Sequence, residues 1–395
     1  MNTVTTLYST LRGDKYIWLI LGFLGLFSVL AVYSSGGAMA YKYAGGNPES
    51  YLFKQGFFII TGMGVAVACY KLHYLHYSRL APILLAIAIP LLMYTWLFGP
   101  EINQSRRWIS IPWINQNFQT SDFAKIALIM FVSRSLAIRQ EFIKDFRGAF
   151  LPIIAPVAVV CGLIMLADLS TAVLLFTTCL LMMFIGRVSL KYVGLMILCG
   201  VLVAGIIVII GTVFPEMFRV DTWISRIQTF LGSGNETFQV EQSKIAIANG
   251  GWFGLGPGNS LQKNFLPYAY ADFIYAIICE EYGIVGGFVI LAAYLGLLFR
   301  CIKIVTQCPK AFGAILAMGL CLNLVIQAFA NIAVSVQLVP VTGLTLPLIS
   351  MGGTSVLFTC MSIGVILSVS RYVEQAHMQK LALEKLEQQA DAGNN

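Results

Sequence analysis

The sequence predicts an all-α integral membrane protein with about ten transmembrane helices. Of its 395 residues, 58% are hydrophobic and 11% are charged, whereas soluble domains average about 25% charged residues. The mean hydropathy is +0.80. Apolar runs long enough to cross a hydrocarbon core of about 30 Å recur along the chain. A single long polar segment, Pro215–Ala271, separates seven of these runs from the last three.

Ten apolar runs account for the predicted spans. They are Tyr16–Ser34, Phe53–Tyr70, Leu80–Phe98, Phe123–Ile138, Ala149–Ala167, Leu169–Ile185, Tyr192–Phe214, Phe273–Phe299, Ala311–Val336 and Leu344–Val369. The fourth run contains Lys125 and Arg134. The fifth and sixth form one apolar stretch that would make a helix of about 55 Å, which is too long for one crossing. We therefore predict a turn at Asp168.

The distribution of basic residues predicts the orientation. With the N-terminus inside, 16 of the 25 Lys and Arg residues fall on inner segments, as the positive-inside rule requires. Both termini are then cytoplasmic, and the long loop between spans 7 and 8 is extracytoplasmic. The net charge of +7 follows from this bias and gives no indication of nucleic-acid binding. No cleavage site follows the first run, so we expect it to be retained as a span.

The chain is organised as one membrane domain with a tail. Residues 1–373 form the polytopic domain, and residues 374–395 form a short polar cytoplasmic tail that we expect to be a solvated helix. Before the last span, the segment VPVTGLTLPLISMGGTS carries Pro340, Gly343 and Pro347, which would break a helix. Irregular backbone at membrane depth requires protein or a cavity around it, so we predict a re-entrant segment.

Several chemistries lack support in the sequence. The nine cysteines include no CxxC pair, so disulfide and zinc sites are weakly indicated. HExxH, GxSxG and Ser-His-Asp patterns are absent from the sequence, which leaves protease and esterase functions without support. The glycine-rich GGWFGLGPGNS lacks the lysine–serine pair of a phosphate-binding P-loop, and flexible packing at the membrane interface is the alternative.

Asp272, at the start of the eighth span, is the first candidate site residue. It is either the N-terminal cap of that helix or a functional carboxylate, because an ionisable group at this depth is costly. An outer cluster of Arg107, Lys125 and Lys263 would suit an anion such as a lipid diphosphate.

The other acidic candidates have structural alternatives. Asp122 and Lys125 lie three residues apart on one helical face, where they either neutralise each other or act on a ligand. Asp168 is expected to pair with a cation or to cap the following helix. Glu280, with Glu281 beside it, is expected to form internal pairs or a gate in the eighth span.

Five blocks resemble the SEDS (shape, elongation, division, sporulation) family of FtsW, RodA and SpoVE. They are RRWISI (residues 106–111), QTSDFAK (119–125), ADLST (167–171), QSKIAIANGGWFGLGPGNSLQKNFLPYAYADFIYAIICEEYG (242–283) and NIAVSVQLVPVTGLTLPLISMGGTS (331–355). They occur in the family's order across nearly the whole chain. The segment GPGNSLQK is more similar to the corresponding sequence in FtsW and SpoVE than to that in RodA, and this similarity implies a division role.

The resemblance implies a peptidoglycan glycosyltransferase that polymerises lipid II, an undecaprenyl-diphosphate-linked disaccharide pentapeptide, during cell division. It implies that Asp272 is the catalytic base, and that substrate or diphosphate binding falls to Arg107, Trp108, Lys125 and Lys263. Supporting roles fall to Asp122, Asp168 and Glu280. The chain departs from the family where Tyr268 replaces a glutamate and Ala271 a threonine, so a metal or hydrogen bond that needs a second acid is put in doubt.

The resemblance also implies the setting of the reaction. The expected location is the bacterial cytoplasmic (inner) membrane at the division septum. The expected partners are a class B penicillin-binding transpeptidase of the FtsI type and other divisome proteins. No cofactor is required by the sequence, and a divalent cation, Mg²⁺ or Mn²⁺, stays open. The alternatives are an elongation-type polymerase like RodA, a flippase or transporter of the lipid precursor, and a non-catalytic scaffold.

Overall fold

The computed structural model describes residues 13–36, 49–101, 106–111, 116–213, 220–231, 238–266 and 269–393. Its helices, numbered in chain order, are α1 (Lys15–Ser35), α2 (Glu49–Lys71), α3 (Tyr74–Phe98), α4 (Thr120–Ile138), α5 (Leu151–Ala167), α6 (Leu169–Ile185), α7 (Leu190–Val213), α8 (Val220–Phe230), α9 (Phe238–Gly250), α10 (Ile274–Gln307), α11 (Ala311–Ser335) and α12 (Thr354–Gly393). Two strands, β1 (Trp108–Ile111) and β2 (Gln116–Gln119), and short helical turns at Gln140–Phe142, Phe146–Phe150 and Gln262–Asn264 complete the described elements.

The predicted membrane architecture is confirmed. Among the described residues, eight helices are long and apolar enough to cross a membrane. Two others, the 17-residue α6 and the charge-bearing α4, occupy the remaining predicted spans. The predicted turn is also present, because Asp168 has an extended backbone (φ −153°, ψ 95°) between α5 and α6.

Three details differ from the sequence-based expectation. The last helix begins at Thr354 and not at Leu344, because the preceding segment is irregular and Gly343 and Gly353 have positive φ. That helix continues unbroken to Gly393, so the polar tail is the end of α12 and not a separate helix. The protein is also not purely helical, since β1 and β2 form an antiparallel hairpin that pairs Trp108 with Gln119.

One of the most enclosed helices of the bundle is α11, which packs against α4, α6, α10 and α12. Its buried face carries polar groups as well as apolar ones, including Asn323, Gln327 and Asn331. Buried polar side chains are costly unless they are hydrogen-bonded. The hydrogen-bond partners of these side chains therefore show where polar groups are buried inside the bundle.

The glycine-rich loop packs backbone to backbone on α10. The helix is bent at Gly283, which has φ +70° and ψ −173°. At this bend Leu255 and Gly256 donate backbone N–H groups to the carbonyls of Glu280 and Glu281, at 2.9 and 3.0 Å. A Cβ atom on Gly254 would lie 2.2 Å from the Glu281 carbonyl oxygen. The glycines therefore serve this close approach of the loop to α10.

Candidate functional site

A cavity of about 400 Å³ lies between the α5–α6 turn, α8 and the irregular segment of residues 340–353, for which the sequence predicts re-entry into the membrane and which we call the re-entrant segment. Most of its lining is apolar, including Leu174, Ile326 and Val341. Its charged lining residues, within the described part of the chain, are Arg107, Asp168 and Arg226. A mostly apolar pocket with a few convergent polar groups is the usual form of a ligand site.

Asp168 fixes the position of Arg107 in the cavity wall. The Arg107 guanidinium lies 2.7 Å from Asp168 Oδ2, and the Thr171 hydroxyl donates to the same oxygen at 2.7 Å. Asp168 also caps α6, because its Oδ1 accepts the Thr171 backbone N–H at 3.2 Å. The hairpin turn that the sequence predicts at Asp168 thus brings a cation from the β1 side of the molecule into the cavity.

The Asp272 carboxylate is not among the residues that line this cavity, but it lies beside the segment that forms one of its walls. A Cβ atom on Gly343 would lie 3.7 Å from Asp272 Oδ2, and the neighbours of Gly343, Thr342 and Leu344, line the cavity. Asp272 is half-buried. Removal from water raises its pKa to about 6, although the nearby Arg107 and Arg226 lower it; Asp168 adds a smaller increase.

Asp272 does not cap α10. The helix begins at Ile274, and Phe273 occupies the cap position without a side-chain hydrogen bond. Of the two alternatives for Asp272, the N-terminal cap is the one that the structure contradicts, because a turn over residues 269–273 separates the carboxylate from the helix. The side chain is left to face Gly343 beside the cavity.

The backbone beside Asp272 is tied to the re-entrant segment and to α11. Three consecutive carbonyl oxygens accept hydrogen bonds: Tyr270 from the Met351 N–H at 2.9 Å, Ala271 from the Ser350 hydroxyl at 2.6 Å, and Asp272 from the Asn331 side-chain amide at 2.7 Å. Backbone groups with good partners cannot rotate freely. The position of the Asp272 main chain is therefore closely determined.

Side chains of the bundle satisfy the carbonyls of the re-entrant segment. The donors are Asn331 to Leu344, Gln327 to Thr345, Tyr294 to Pro347 and Ser28 to Ile349, at 2.5–2.9 Å. An irregular segment at membrane depth needs such partners. Asn331 donates both to this segment and to Asp272, and so links the two.

Asp122 and Lys125 lie in a separate buried cluster. Their side chains pair at 2.8 Å, and Lys125 also donates to Gln327 Oε1 at 3.3 Å. Asn323 and Thr359 line the small space beside them. Lys125 is thus not in the wall of the 400 Å³ cavity, and its link to the re-entrant segment passes through Gln327.

The remaining sequence candidates lie outside the cavity lining. Lys263 donates to the Gly258 carbonyl at 2.6 Å. Glu280 is fully buried, bonds the Ser260 hydroxyl, and accepts the backbone N–H groups of Leu261 and Gln262. It therefore holds the loop before Asp272 through internal hydrogen bonds. Trp108 is half-buried at the start of β1. Tyr268, the replaced second acid, lies outside the described residues.

Arg226 is a cavity residue that the sequence patterns did not identify. It lies on α8, and its guanidinium donates to the Thr342 carbonyl at 3.4 Å. The signal that could have found it is the amphipathic pattern VDTWISRIQTF, in which Trp223, Arg226 and Ile227 share one face. Because α8 is inside a long loop, its approach to the cavity could not be read from spacing.

The described residues hold no group of three or more His, Cys, Asp or Glu side chains placed to bind a metal ion. In the cavity, the Asp168 carboxylate is already engaged by Arg107 and Thr171. The donors among the described cavity residues therefore do not form a preformed divalent-cation site.

Comparison with known proteins identifies relatives along most of the chain. A model of a family of cell cycle proteins, FtsW/RodA/SpoVE, matches residues 14–375. A Nitrosococcus halophilus protein named "Probable peptidoglycan glycosyltransferase FtsW" is 33% identical over 82% of this chain and 84% of its own length. Stage V sporulation protein E of Bacillus subtilis is 34% identical over 90% and 94%.

Solved structures share the fold. A chain of the structure named "Structural coordination of polymerization and crosslinking by a peptidoglycan synthase complex" aligns with a TM-score of 0.70 at 23% identity, covering 91% of this chain and 98% of that one. The rod shape determining protein RodA of Thermus thermophilus aligns with a TM-score of 0.66 at 22% identity, covering 91% and 97%.

Proposed function

The chain belongs to the FtsW/RodA/SpoVE family of cell cycle proteins, and we propose that it is a peptidoglycan glycosyltransferase that polymerises lipid II. The observation that carries this proposal is the Asp272 carboxylate beside a cavity that Arg107 and Arg226 line, near enough to both arginines to feel their charge. Relatives named as peptidoglycan glycosyltransferases support the same reaction class.

The proposed step joins two lipid-linked saccharides. An acceptor hydroxyl attacks the anomeric carbon of the donor, its proton passes to the Asp272 carboxylate, and the donor's carbon–oxygen bond to the lipid diphosphate breaks. The diphosphate takes the electron pair of that bond. Attack opposite to the leaving group inverts the anomeric centre, so an α-linked donor gives a β-linkage.

The pKa of Asp272 suits the base role. A carboxylate with a pKa of about 6 is a stronger base than an ordinary aspartate, yet its ionised form predominates by about tenfold at pH 7. General bases work best when their pKa lies near the operating pH. Burial beside the cavity supplies this increase.

Arg107 and Arg226 are the proposed partners of the departing diphosphate. Both line the cavity, and guanidinium groups match phosphate oxygens with paired hydrogen bonds. Asp168 holds Arg107 at 2.7 Å, so that this cation is preorganised before substrate binds. Lys125 and Lys263, which lie outside the cavity lining, are proposed to contribute indirectly through the segments that they contact.

The division role, the partners and the location are parts of the proposal. The protein acts in the bacterial inner membrane at the septum, with both termini cytoplasmic and Asp272 on the outer side. A class B penicillin-binding transpeptidase is its partner, and the related peptidoglycan synthase complex, in which polymerization and crosslinking are coordinated, supports this pairing. Depletion of the protein is expected to give filamentous cells, whereas round cells would indicate an elongation role.

A reconstitution assay tests the enzymatic function against its rivals. Purified protein, alone and with its transpeptidase, is mixed with fluorescent lipid II in proteoliposomes. We expect glycan polymer, and the same assay with a chelator of divalent ions tests whether a metal takes part. Movement of lipid II between leaflets without polymer would favour a flippase, and polymer lost on chelation and restored by Mg²⁺ or Mn²⁺ would introduce a metal.

A further inference from the structure

The loop Gly250–Gly256 carries two large side chains that point away from the protein. Trp252 is 71% exposed and Phe253 is 83% exposed. The loop itself is firmly held: Ile284 and Val285 of α10 donate backbone N–H groups to the Gly251 and Trp252 carbonyls, at 2.9 and 3.3 Å. Two aromatic side chains on a rigid support, projecting outward, indicate contact with something outside the chain.

The length of α10 gives the depth of this loop. About 20 helical residues cover a hydrocarbon core of about 30 Å. Arg300 and Lys303 mark the cytoplasmic end of the part of α10 that lies in the hydrocarbon core. About twenty residues counted outward from Phe299 place the other end of that part near Glu280. The loop binds α10 at residues 280–285. It therefore lies at the boundary between hydrocarbon and headgroups, and not beyond the membrane surface.

The surroundings of the loop are lipid-facing. Ile284, Val285 and Phe288 of α10 are all exposed, Phe288 by 64%, and they continue along the outer surface of a span. Trp252 and Phe253 extend this apolar face from the helix onto the loop. Tryptophan and other aromatic residues are favoured at this depth because their rings tolerate both phases.

The backbone of the loop is suited to such a position. Irregular segments enter the membrane only where protein satisfies their polar groups. The bend at Gly283 opens the hydrogen bonding of α10, and the loop bonds to both sides of it, through Leu255 and Gly256 on one side and Ile284 and Val285 on the other.

We propose that the tip of this loop, Trp252 and Phe253, inserts into the bilayer at the headgroup boundary of the leaflet nearer to Asp272. It anchors the loop segment that leads to Asp272 at a fixed depth relative to the lipid surface. The lipid bilayer is the occupant of this surface, by continuity with the lipid-facing side of α10. The inference does not depend on the proposed reaction.

Depth-dependent quenching tests the inference. The full chain is placed in nanodiscs whose lipids carry bromine either near the carbonyl end or near the methyl end of the acyl chain. We expect the wild type to contain an emission component quenched by the shallow bromine, and Trp252→Phe to lose it. Phe253→Trp in the Trp252→Phe background should restore it, which controls for misfolding.

Two results would overturn the inference. One is that the Trp252 emission is quenched by aqueous acrylamide and is indifferent to bromine at either depth, which would mean that the loop is solvated. The other is that the bromine-quenched component disappears when the transpeptidase is bound, which would mean that this surface is a protein interface. Both measurements are independent of polymerase activity.

Discussion

The position of Asp272 is set by hydrogen bonds to its main chain, so that its carboxylate can serve as the proposed base. The carbonyls of residues 270–272 are all hydrogen-bonded by groups from α11 and the re-entrant segment. The side chain faces Gly343, where a Cβ atom would come within 3.7 Å of Oδ2. A base must be placed to a fraction of an ångström to be effective. At the scale of one residue, the site thus combines a fixed backbone with an acid whose pKa is raised.

The pH dependence of polymerisation follows from that pKa. The unfolded or solvated acid has a pKa of about 4, whereas burial raises the pKa of Asp272 to about 6. Protonation removes the base, so we expect kcat/KM to fall as pH decreases through about 6.

Arg226 lowers the pKa of Asp272. The variant Arg226→Gln should therefore move the acidic limb of the pH profile, where kcat/KM falls with decreasing pH, to higher pH. Arg79→Gln, an exposed change at the start of α3, should leave the limb in place; an unshifted limb in Arg226→Gln would contradict the electrostatic assignment.

Asn331 is expected to affect turnover without touching substrate. Its side-chain amide donates to the main-chain carbonyls of Asp272 and Leu344, both at 2.7 Å. Asn331→Ala removes both hydrogen bonds, so that the main chain of Asp272 is held less firmly. Each lost partner costs about 1–3 kcal/mol when the acceptor stays buried, and a misplaced base can cost about 10²-fold in rate. We expect kcat to fall more than KM changes. Asn323→Ala, an equally buried change two turns away on the same helix, should lower thermal stability with a much smaller effect on kcat.

At the scale of elements, the bend in α10 and the loop that docks there form one unit. Gly283 adopts φ +70°, and a Cβ atom there would lie 2.2 Å from the Trp252 carbonyl oxygen. Glu280 completes the unit by accepting the N–H groups of Leu261 and Gln262. The unit leads directly into the segment that carries Asp272. A rigid unit at this point therefore helps to fix the position of Asp272 as well as the bend in α10.

Substitution of Gly283 by alanine should disrupt this unit. Gly283 (φ +70°, ψ −173°) lies in a backbone region that essentially only glycine adopts, where another residue is strained by about 1–3 kcal/mol, and the contact with the Trp252 carbonyl adds to that cost. We expect a lower Tm in detergent and increased proteolysis of the Gly250–Leu266 loop. Gly64→Ala is the matched control, because that helical glycine has open space around it and alanine is favoured there by roughly 0.5–1 kcal/mol. Equal Tm values for the two variants would contradict the docking of the loop on α10.

Sequence patterns predicted the elements better than their junctions. Long apolar runs and the costly Asp168 were enough to place the spans and the α5–α6 turn, because membrane burial leaves few alternatives. The start of α10 was predicted to within one residue, at Phe273 instead of Ile274. The start of α12 was misplaced, since hydrophobicity does not distinguish a helix from an irregular apolar segment such as residues 340–353. The β1–β2 hairpin was also missed, because four-residue strands have little periodicity.

At the scale of the whole molecule, the site is assembled from distant parts of the chain. Arg107 precedes α4, Asp168 joins α5 to α6, Arg226 lies on α8, and Asp272 precedes α10. The sequence identified these residues as candidates, apart from Arg226, but it could not show which of them lie together. Lys125 and Lys263 illustrate the reason. Each is a basic residue in a predicted site segment, yet Lys125 donates to Gln327 and Lys263 to the Gly258 carbonyl, away from the cavity.

The orientation of the bundle is a further expectation at this scale. The basic bias places both termini in the cytoplasm, because Lys and Arg are retained on that side. A fluorescent protein fused after residue 395 should fluoresce, and alkaline phosphatase fused at that point should be inactive. Alkaline phosphatase inserted in the 232–237 segment should be active. The reverse pattern would place Asp272 on the cytoplasmic side and would be incompatible with assembly of glycan outside the cell.

The most direct test of the central claim is the polymerisation of lipid II by the Asp272→Asn variant in complex with the transpeptidase. This change keeps the size of the side chain and removes only the base, which typically supplies about 10²–10⁴-fold in rate. We predict that the variant folds, binds its partner and retains lipid II binding, while glycan polymer is lost at every pH between 5 and 8. Polymer formation at the wild-type rate by a folded Asp272→Asn complex would contradict the assignment of Asp272 as the base.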